Sequence, residues 1–332
     1  MTFEAQACGA IARVFDGWFA VPATEAFARS GSFLLRLCFA RGKLAEEILP
    51  TFLPCEAGPA DLQIGFLTGE EVDLSALVPH PSDDYHAMAR EQFFAVWVPD
   101  DLPLLYLFDR RTNRALIWLA AGAAPVWFAG RPILPIMYAF STDKPWLAIH
   151  AAAVGRDDRI LLLAGPGRAG KTTAALSCAR SGWDYAGDDY VFANTATGAI
   201  ESLFCSARLR EDMFGAFPDL VDESTNVSLS NGERRCELTL AGHFGPARIR
   251  GGALAAILLP RRNGAALPQF MPARRLDAVA ALYTSMTGQM DWADTVMRKT
   301  TSLVGLAPVF FVDTGQTPEA IPEAFAAFLD RL

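Results

Sequence analysis

The residues that point most directly to chemistry lie in one run, Gly165 to Thr172, which reads Gly-Pro-Gly-Arg-Ala-Gly-Lys-Thr. This run fits the pattern G-x-x-x-x-G-K-[ST] at every fixed position. Its glycines let the backbone curl, so that several N–H groups point towards phosphate oxygens. The ammonium group of Lys171 is expected to reach the β- and γ-phosphates of a nucleotide, and the Thr172 hydroxyl to bind Mg²⁺. The run therefore predicts a phosphate-binding loop for ATP and Mg²⁺.

The same stretch contains a second motif that has to be weighed. Gly165, Gly167 and Gly170 also spell G-x-G-x-x-G, the fingerprint of dinucleotide-binding domains. The Lys-Thr pair has no role in that fingerprint, and the strand before it would normally open the domain rather than return from a hairpin. An apolar strand predicted before the run and a helix predicted after it, at Lys171–Arg180, favour the phosphate loop. The predicted nucleotide contacts are Gly165, Pro166, Gly167, Arg168, Ala169, Gly170, Lys171, Thr172 and Thr173.

Two adjacent carboxylates, Asp188 and Asp189, follow a short strand predicted at Trp183–Gly187. A parallel strand that follows a helix through a right-handed crossover is expected directly beside the strand of the phosphate loop. Its C-terminal end then lies at the same edge of the sheet as the loop. There one carboxylate can bind Mg²⁺ while the other accepts the proton of an attacking hydroxyl. A simple turn or a helix N-cap is the alternative interpretation of the pair.

A histidine precedes the loop within an apolar hairpin, whose strands are predicted at Trp146–Val154 and Arg159–Ala164. Pairing across the turn between them places His150 opposite Leu163, at the mouth of the phosphate loop. A single histidine in an apolar strand is more often a packed core residue, but this register favours a functional role.

The site prediction combines these residues. The catalytic candidates are His150, Asp188 and Asp189, and the metal ligands are Thr172 and Asp189. In the expected mechanism His150 tunes the carboxylate that acts as the base. Arg168, in the loop, is a candidate for neutralising charge on the transferred group, and a solvated surface position is the alternative interpretation of an exposed arginine.

Composition excludes several classes of function. The chain has 332 residues, of which 52% are hydrophobic and 20% charged, enough for packed domains without long disorder. Its net charge of −8 argues against nucleic acid as a partner, because such binders need a basic surface. The six cysteines are scattered without a C-x-x-C pair, as is typical of reduced cytoplasmic thiols.

No membrane or export segment is expected. The first residues carry Glu4 and lack an apolar core of the kind found in signal peptides. The most apolar stretch, 115–140, is interrupted by Pro125, Pro132 and Pro135, so no run of about 20 apolar residues remains. A cytoplasmic location without membrane contact is therefore the prediction.

Two domains are predicted: a mixed α/β partner- or substrate-recognition domain at 1–142 and a catalytic domain at 143–332. In the first, the pattern predicts a helix at Lys43–Phe52 and strands at Phe33–Phe39, Phe93–Val98, Leu104–Phe108 and Ala115–Ala120. Further strands are predicted at Tyr190–Ala193, Ala199–Phe204, Ala253–Leu259 and Pro308–Val312, and helices at Pro132–Ser141, Arg275–Met286, Asp291–Leu303 and from Thr317 to the end.

Taken together, the apolar strand ending at Val154, the phosphate loop and the run Trp-Asp-Tyr-Ala-Gly-Asp-Asp ending at Asp189 resemble the catalytic core of the HPr serine kinase/phosphorylase family. The phosphoenolpyruvate carboxykinases are more distantly similar. The resemblance is tight over 146–192 and looser over 193–312. It implies an α/β fold with a P-loop kinase core of the HPr kinase/PEP carboxykinase type. It also implies that His150 and the two aspartates are the catalytic histidine and aspartate pair.

By the same resemblance Lys171 and Thr172 contact phosphate and metal. It also implies that Arg208 and Arg210 lie near the active site, where they are further candidates for neutralising charge on the transferred group. The glycine-rich C-terminal signature of HPr kinases is absent, and 1–142 does not resemble their N-terminal domain. The chain is therefore more similar to divergent HPr-kinase-like proteins, some of which belong to peptide-modification clusters and phosphorylate a serine of a precursor peptide.

The sequence thus predicts a phosphotransferase, an ATP- and Mg²⁺-dependent kinase that transfers the γ-phosphoryl group to a hydroxyl, that of a serine in a peptide or protein. Two alternatives remain: a small-molecule kinase on the same core, and a noncatalytic nucleotide-binding regulatory module. The acceptor, the separate roles of Asp188 and Asp189, reversal by phosphate and homo-oligomer formation are left open.

Overall fold

The computed structural model describes residues 3–78, 86–89, 93–98, 102–221, 227–230, 233–261, 264–286, 293–315 and 317–332. The chain divides into two compact units, Met1–Asp143 and Lys144–Leu332. The roles predicted for the two parts of the chain stay predictions. Among the residues described, no helix is long and apolar enough to cross a membrane.

The described residues of the first unit form an eight-stranded sheet with the strand order β3-β1-β2-β4-β8-β7-β6-β5. Its strands are β1 Thr24–Ser30, β2 Phe33–Phe39, β3 Leu53–Pro54, β4 Leu62–Thr68, β5 His86–Ala89, β6 Phe93–Val98, β7 Leu104–Asp109 and β8 Arg114–Leu119. Its helices are α1 Phe3–Asp16, α2 Gly42–Ile48, α3 Val126–Ala129 and α4 Leu134–Ser141. The strand pairs β2/β4 and β4/β8 are parallel, and the other pairs are antiparallel.

Helix α1 covers one face of this sheet. Its apolar residues recur at helical spacing, as in Ala7, Ile11 and Val14, so they form a stripe along one side. That stripe is buried against aromatic and aliphatic side chains of β6, β7 and β8, among them Phe93 and Trp118. The first unit therefore has a core of its own.

The second unit carries the predicted phosphate loop, and its described residues form a nine-stranded sheet and a three-stranded sheet. Its strands are β9 Trp146–Ile149, β10 Ala152–Arg156, β11 Arg159–Leu163, β12 Asp184–Gly187, β13 Val191–Asn194, β14 Ala199–Ser202, β15 Ser206–Arg210, β16 Val227–Ser230, β17 Glu233–Thr239, β18 Gly252–Arg261, β19 Gln269–Pro272 and β20 Val309–Asp313. Its helices are α5 Lys171–Arg180, α6 Pro218–Val221, α7 Ala241–Phe244, α8 Arg275–Met286, α9 Ala293–Gly305 and α10 Ile321–Leu329.

Strand β18 is the centre of the large sheet. On one side it pairs in parallel with β11. On the other side its first residues pair antiparallel with β14, and its last residues pair in parallel with β20. Strands β11, β18 and β20 are therefore parallel, and their C-terminal ends meet at one edge of the sheet. The core beneath them is aliphatic, with Ile160, Leu162 and Ile257 fully buried. This edge is where the phosphate loop begins.

The class of fold predicted from the sequence, α/β, is confirmed by these mixed sheets and helices. Several elements also begin and end where they were predicted, among them β2, β6, α5 and α8. The assignment to a kinase core of the HPr kinase/PEP carboxykinase type stays a prediction.

The hairpin that leads into the loop differs from the predicted one. Its turn contains only Asp157 and Asp158, with φ of 53° and 59°, the left-handed conformation that two-residue hairpin turns require. Val154 therefore pairs with Leu161, and Leu163 pairs with Ala152. The predicted position of His150 opposite Leu163 was wrong, because the tighter turn shifts the register by two residues.

The apolar run predicted as one strand is in fact two, β9 and β10, which separate at His150-Ala151. The predicted neighbour of the loop strand was also wrong. Strand β12 pairs with β10, which lies between β12 and β11. Both β12 and β11 are antiparallel to β10, so they run in the same direction. The C-terminal end of β12 therefore still lies at the edge that carries the phosphate loop, as expected.

Candidate functional site

The phosphate loop connects the end of β11 to the first residue of α5, Lys171. Three of its residues have positive φ: Gly165 at 156°, Arg168 at 68° and Gly170 at 104°. Gly170 is the N-cap of α5, and its φ lies in a region that residues with a Cβ avoid. The helix thus begins directly at the loop, where its free N–H groups and the positive end of its dipole favour an anion.

Lys171 is folded onto the loop. Its ammonium group donates hydrogen bonds to the carbonyl oxygens of Gly165, at 2.8 Å, and Pro166, at 3.2 Å. The side chain is only 7% exposed, and this burial lowers its pKa, while the charges of Asp188 and Asp189 act in the opposite direction. The lysine side chain therefore lies against the backbone of the loop.

Asp188 lies beneath the start of α5. The Thr172 hydroxyl donates a hydrogen bond to its Oδ1 at 3.1 Å. The residue is 4% exposed, and burial, followed by the charge of Asp189, raises its pKa to about 6. Thr172 and Lys171 oppose that rise. Its second oxygen, Oδ2, is buried and has no hydrogen-bond partner among the described residues.

Asp189 has different neighbours because the chain turns sharply between the two aspartates. Asp189 has φ of 66°, and the Tyr190 N–H donates a hydrogen bond to the Asp188 carbonyl oxygen at 2.8 Å. The Asp189 carboxylate lies 3.0 Å from Nε2 of His150, and both side chains are about a quarter exposed. The ring of Tyr190 lies 5.3 Å from that of His150. The buried carboxylate therefore faces the helix, and the accessible one faces the histidine.

His150 reaches this position through a strand pairing that the sequence did not suggest. Strand β9 is antiparallel to β13, with Ile149 opposite Val191. The residues just beyond that pair, His150 and Tyr190, are consequently neighbours where β13 begins. The predicted proximity of His150 to the aspartate pair is present, but it comes from the β9–β13 pairing and not from the hairpin.

The predicted arginines are not equivalent. Arg208 is mostly buried and forms an ion pair with Glu237 at 2.8 Å. Arg168, in the phosphate loop, and Arg210, on β15, instead share the carboxylate of Glu233 on β17. The structure therefore places Arg168 and Arg210 together and separates Arg208 from them.

Sequence reasoning missed Glu233 and Arg235. The alternation Glu-x-Arg-x-Glu from Glu233 to Glu237 was an available signal, since alternate residues of a strand share a face. Thr314 was missed as well. It follows β20 at the loop edge, and a Cβ added to Gly170 would lie 3.5 Å from its hydroxyl oxygen. No local pattern in the sequence indicated that contact.

Oxygen atoms at the site fit a hard divalent cation. Across the described ranges there is no group of three or more His, Cys, Asp or Glu side chains that could hold a metal. Mg²⁺ in nucleotide sites does not need such a group, because it uses one or two protein oxygens together with phosphates and water. The Thr172 hydroxyl and the buried Oδ2 of Asp188 supply oxygens of that kind.

Comparison with known proteins adds little to this geometry. No protein-family model matches the sequence. No curated protein matches it either. Among solved structures, the HPr(Ser) kinase/phosphatase from Coxiella burnetii is similar with a TM-score of 0.26 and 11% identity, over 56% of this chain and 95% of that chain. This is a distant structural similarity, from which neither the activity nor the substrate of this chain follows.

Proposed function

We propose that this chain is an ATP- and Mg²⁺-dependent kinase that transfers the γ-phosphoryl group to a hydroxyl, that of a serine in a peptide or protein. The observation that carries the proposal is the contact of two adjacent carboxylates with different partners at the loop edge. Asp188 contacts Thr172, and Asp189 contacts His150. A module that only binds nucleotide needs the loop but has no use for a proton acceptor beside it.

In this proposal the loop and the start of α5 hold the phosphates. Backbone N–H groups of the loop and the helix dipole favour the anion. Lys171 exchanges its hydrogen bonds with Gly165 and Pro166 for phosphate oxygens, which its three N–H donors allow.

Thr172 and Asp188 would hold Mg²⁺, which when bound neutralises charge on the phosphates. The sequence had suggested Thr172 with Asp189. The Thr172–Asp188 hydrogen bond and the unpaired, buried Oδ2 favour Asp188 instead. A cation beside Asp188 also favours its ionised form, which offsets the burial that raises its pKa to about 6.

Asp189 would act as the general base. Its carboxylate is accessible, unlike that of Asp188, so an acceptor hydroxyl can approach within hydrogen-bond distance. His150, at 3.0 Å, orients the carboxylate and tunes its basicity. As the serine oxygen attacks the γ-phosphorus, its proton passes to Asp189, the bond between the γ-phosphorus and the β–γ bridging oxygen breaks, and ADP leaves. Positioning and charge neutralisation supply the rest of the rate enhancement.

Three variants and the parent test the proposal, with labelled ATP and a library of serine-containing peptides. We expect Lys171→Ala to abolish transfer and weaken ATP binding. Asp189→Asn should lower transfer by about a hundredfold or more with ATP affinity nearly unchanged, because only the transition state uses the base. Asp188→Asn should lose activity and recover part of it at high Mg²⁺ or with Mn²⁺.

Two results would remove the proposal. ATP binding without transfer to any peptide, in the parent protein, would leave the noncatalytic module. If the label appeared on small hydroxyl compounds but on no peptide, the result would favour the alternative of a small-molecule kinase.

A further inference from the structure

A second cluster of charged groups adjoins the phosphate loop, on the three-stranded sheet of β15, β17 and β16. In an antiparallel pair, residues directly opposite each other share a face, and so do alternate residues along a strand. Arg210 lies opposite Arg235, and Glu233 lies two residues before Arg235. Arg168 of the loop reaches the same carboxylate. We call Arg168, Arg210 and Arg235, gathered around Glu233, the arginine face.

One carboxylate holds all three guanidinium groups. Glu233 Oε1 contacts both Arg168 and, at 3.5 Å, Arg210, and Oε2 contacts Arg235 at 3.2 Å. The hydrogen bond from Arg168 is the main cause of the lowered pKa of Glu233. Arg210 also contacts Asp212, at 3.2 Å. Among the described residues, the carboxylates of Glu233 and Asp212 thus face the three guanidinium groups of this cluster.

The cluster has donors to spare. Three guanidinium groups carry about fifteen N–H donors, whereas two carboxylates accept about eight hydrogen bonds. Within the described residues, the buried Nε of Arg235 has no hydrogen-bond partner. Like charges directly opposite each other on a strand pair, as Arg210 and Arg235 are, destabilise a sheet. An added anion would relieve that repulsion and use the remaining donors.

The position of the arginine face suggests which anion that is. Arg168 belongs to the phosphate loop, so anything bound against the face lies next to the place of phosphoryl transfer. Guanidinium groups match carboxylates in two-pronged pairs. The chain as a whole carries a net charge of −8, so an acidic ligand needs such a local positive surface in order to bind.

We propose that the arginine face binds acidic side chains of the acceptor peptide, close to the serine that is phosphorylated. Glu233 holds the three arginines in place and is displaced, in whole or in part, by carboxylates of the acceptor. This inference rests on the proposed kinase function and narrows it to acidic peptide or protein substrates.

The test measures binding, so it does not depend on turnover. Three fluorescently labelled peptides of equal length, each with a central serine flanked by Glu, Gln or Lys, are titrated with the full chain in an anisotropy assay. We expect the Glu peptide to bind at least about tenfold more tightly than the Gln peptide at low salt. The advantage should shrink as salt is added.

Variants of the face give the decisive comparison. Arg210→Gln with Arg235→Gln should remove the preference for the Glu peptide, and Glu233→Gln should strengthen it, because the internal competitor is gone. The matched control is Arg250→Gln with Arg274→Gln, which removes two exposed arginines that are also paired with aspartates, Asp184 and Asp277. The control should keep the preference.

Equal binding of the Glu and Gln peptides by the parent would overturn the inference. A preference for the Glu peptide that survives in the Arg210/Arg235 variant would also overturn it. A loss of ATP affinity in that variant without a change in peptide preference would overturn it as well, because the arginine face would then bind the nucleotide. Failure of the kinase proposal is distinguishable: the Glu peptide would bind selectively, yet neither it nor any other serine peptide would be phosphorylated by the parent.

Discussion

Replacement of Asp188 by asparagine tests whether a carboxylate is held in the folded protein at a cost to stability. Burial and the neighbouring Asp189 raise the pKa of Asp188 from 3.8 to about 6. That difference corresponds to about 3 kcal/mol, since one pKa unit is about 1.4 kcal/mol. Asparagine keeps an oxygen that accepts from Thr172 but cannot ionise.

The direction of the effect follows from proton binding. Between about pH 4 and pH 6 the folded protein retains on Asp188 a proton that the unfolded chain has released, so the stability of the parent falls as pH rises through this window. Below about pH 4 both states are protonated, and above about pH 7 both are ionised. The Asp188→Asn side chain cannot ionise, so the variant does not lose this stability as pH rises. Relative to the parent, the variant should therefore gain about 3 kcal/mol in unfolding free energy between pH 4 and pH 8.

Urea denaturation followed by tryptophan fluorescence, in buffer with a metal chelator, measures both proteins across that pH range. The difference in unfolding free energy between variant and parent, plotted against pH, removes the contribution of the other titrating groups. A constant cost of the new amide moves this curve up or down but leaves its slope unchanged. Asp157→Asn, at an exposed hairpin turn, makes the same change of charge and serves as the control. Parallel stability curves for the Asp188 variant and the parent would refute the buried-carboxylate argument. A gain in stability combined with lost phosphoryl transfer would mark Asp188 as a functional residue.

Two further predictions concern neighbouring parts of the second unit. Gly251→Ala should destabilise the protein by about 3 kcal/mol, because the new Cβ would lie 1.9 Å from the backbone oxygen of Ile200. In the same urea denaturation assay Gly215→Ala, with nothing within 4 Å of its Cβ, should change the free energy of unfolding by less than about 0.5 kcal/mol. Equal effects of the two substitutions would contradict the clash. His150→Ala should lower the rate of phosphoryl transfer less than Asp189→Asn does, and it should alter the pH dependence of that rate. The rate and pH dependence of His150→Gln should be closer to those of the parent. A pH profile of turnover that is unchanged in both histidine variants would remove its proposed action on Asp189.

The run Gly165 to Thr172 could be predicted from the sequence as a phosphate loop because its motif is local. One run of consecutive residues, placed between an apolar strand and a helix, contains the glycines, the lysine and the threonine in fixed order. Each residue constrains its neighbours through the backbone alone, so little tertiary information is needed. For the same reason α5 begins and ends at the predicted residues, Lys171 and Arg180.

The position of His150 shows where local reasoning fails. Its expected place came from a hairpin with a four-residue turn, whereas the chain turns in two residues at Asp157-Asp158. A slip of two residues leaves the alternation of faces unchanged, so the apolar pattern could not reveal it. The contact with Asp189 is instead set by pairing between β9 and β13, strands that are separated by the loop and α5.

The sequence by itself determined the α/β class and the placement of the aspartate pair at the same edge of the sheet as the run Gly165 to Thr172, which its motif predicts to bind phosphate. Only the tertiary structure distinguished Asp188 from Asp189, because adjacent residues look alike in a sequence until a turn directs them to different neighbours. It also placed β10 between β12 and β11 and brought Arg168 to Glu233. Strand order and register depend on contacts between residues far apart in the chain, and no local preference encodes them.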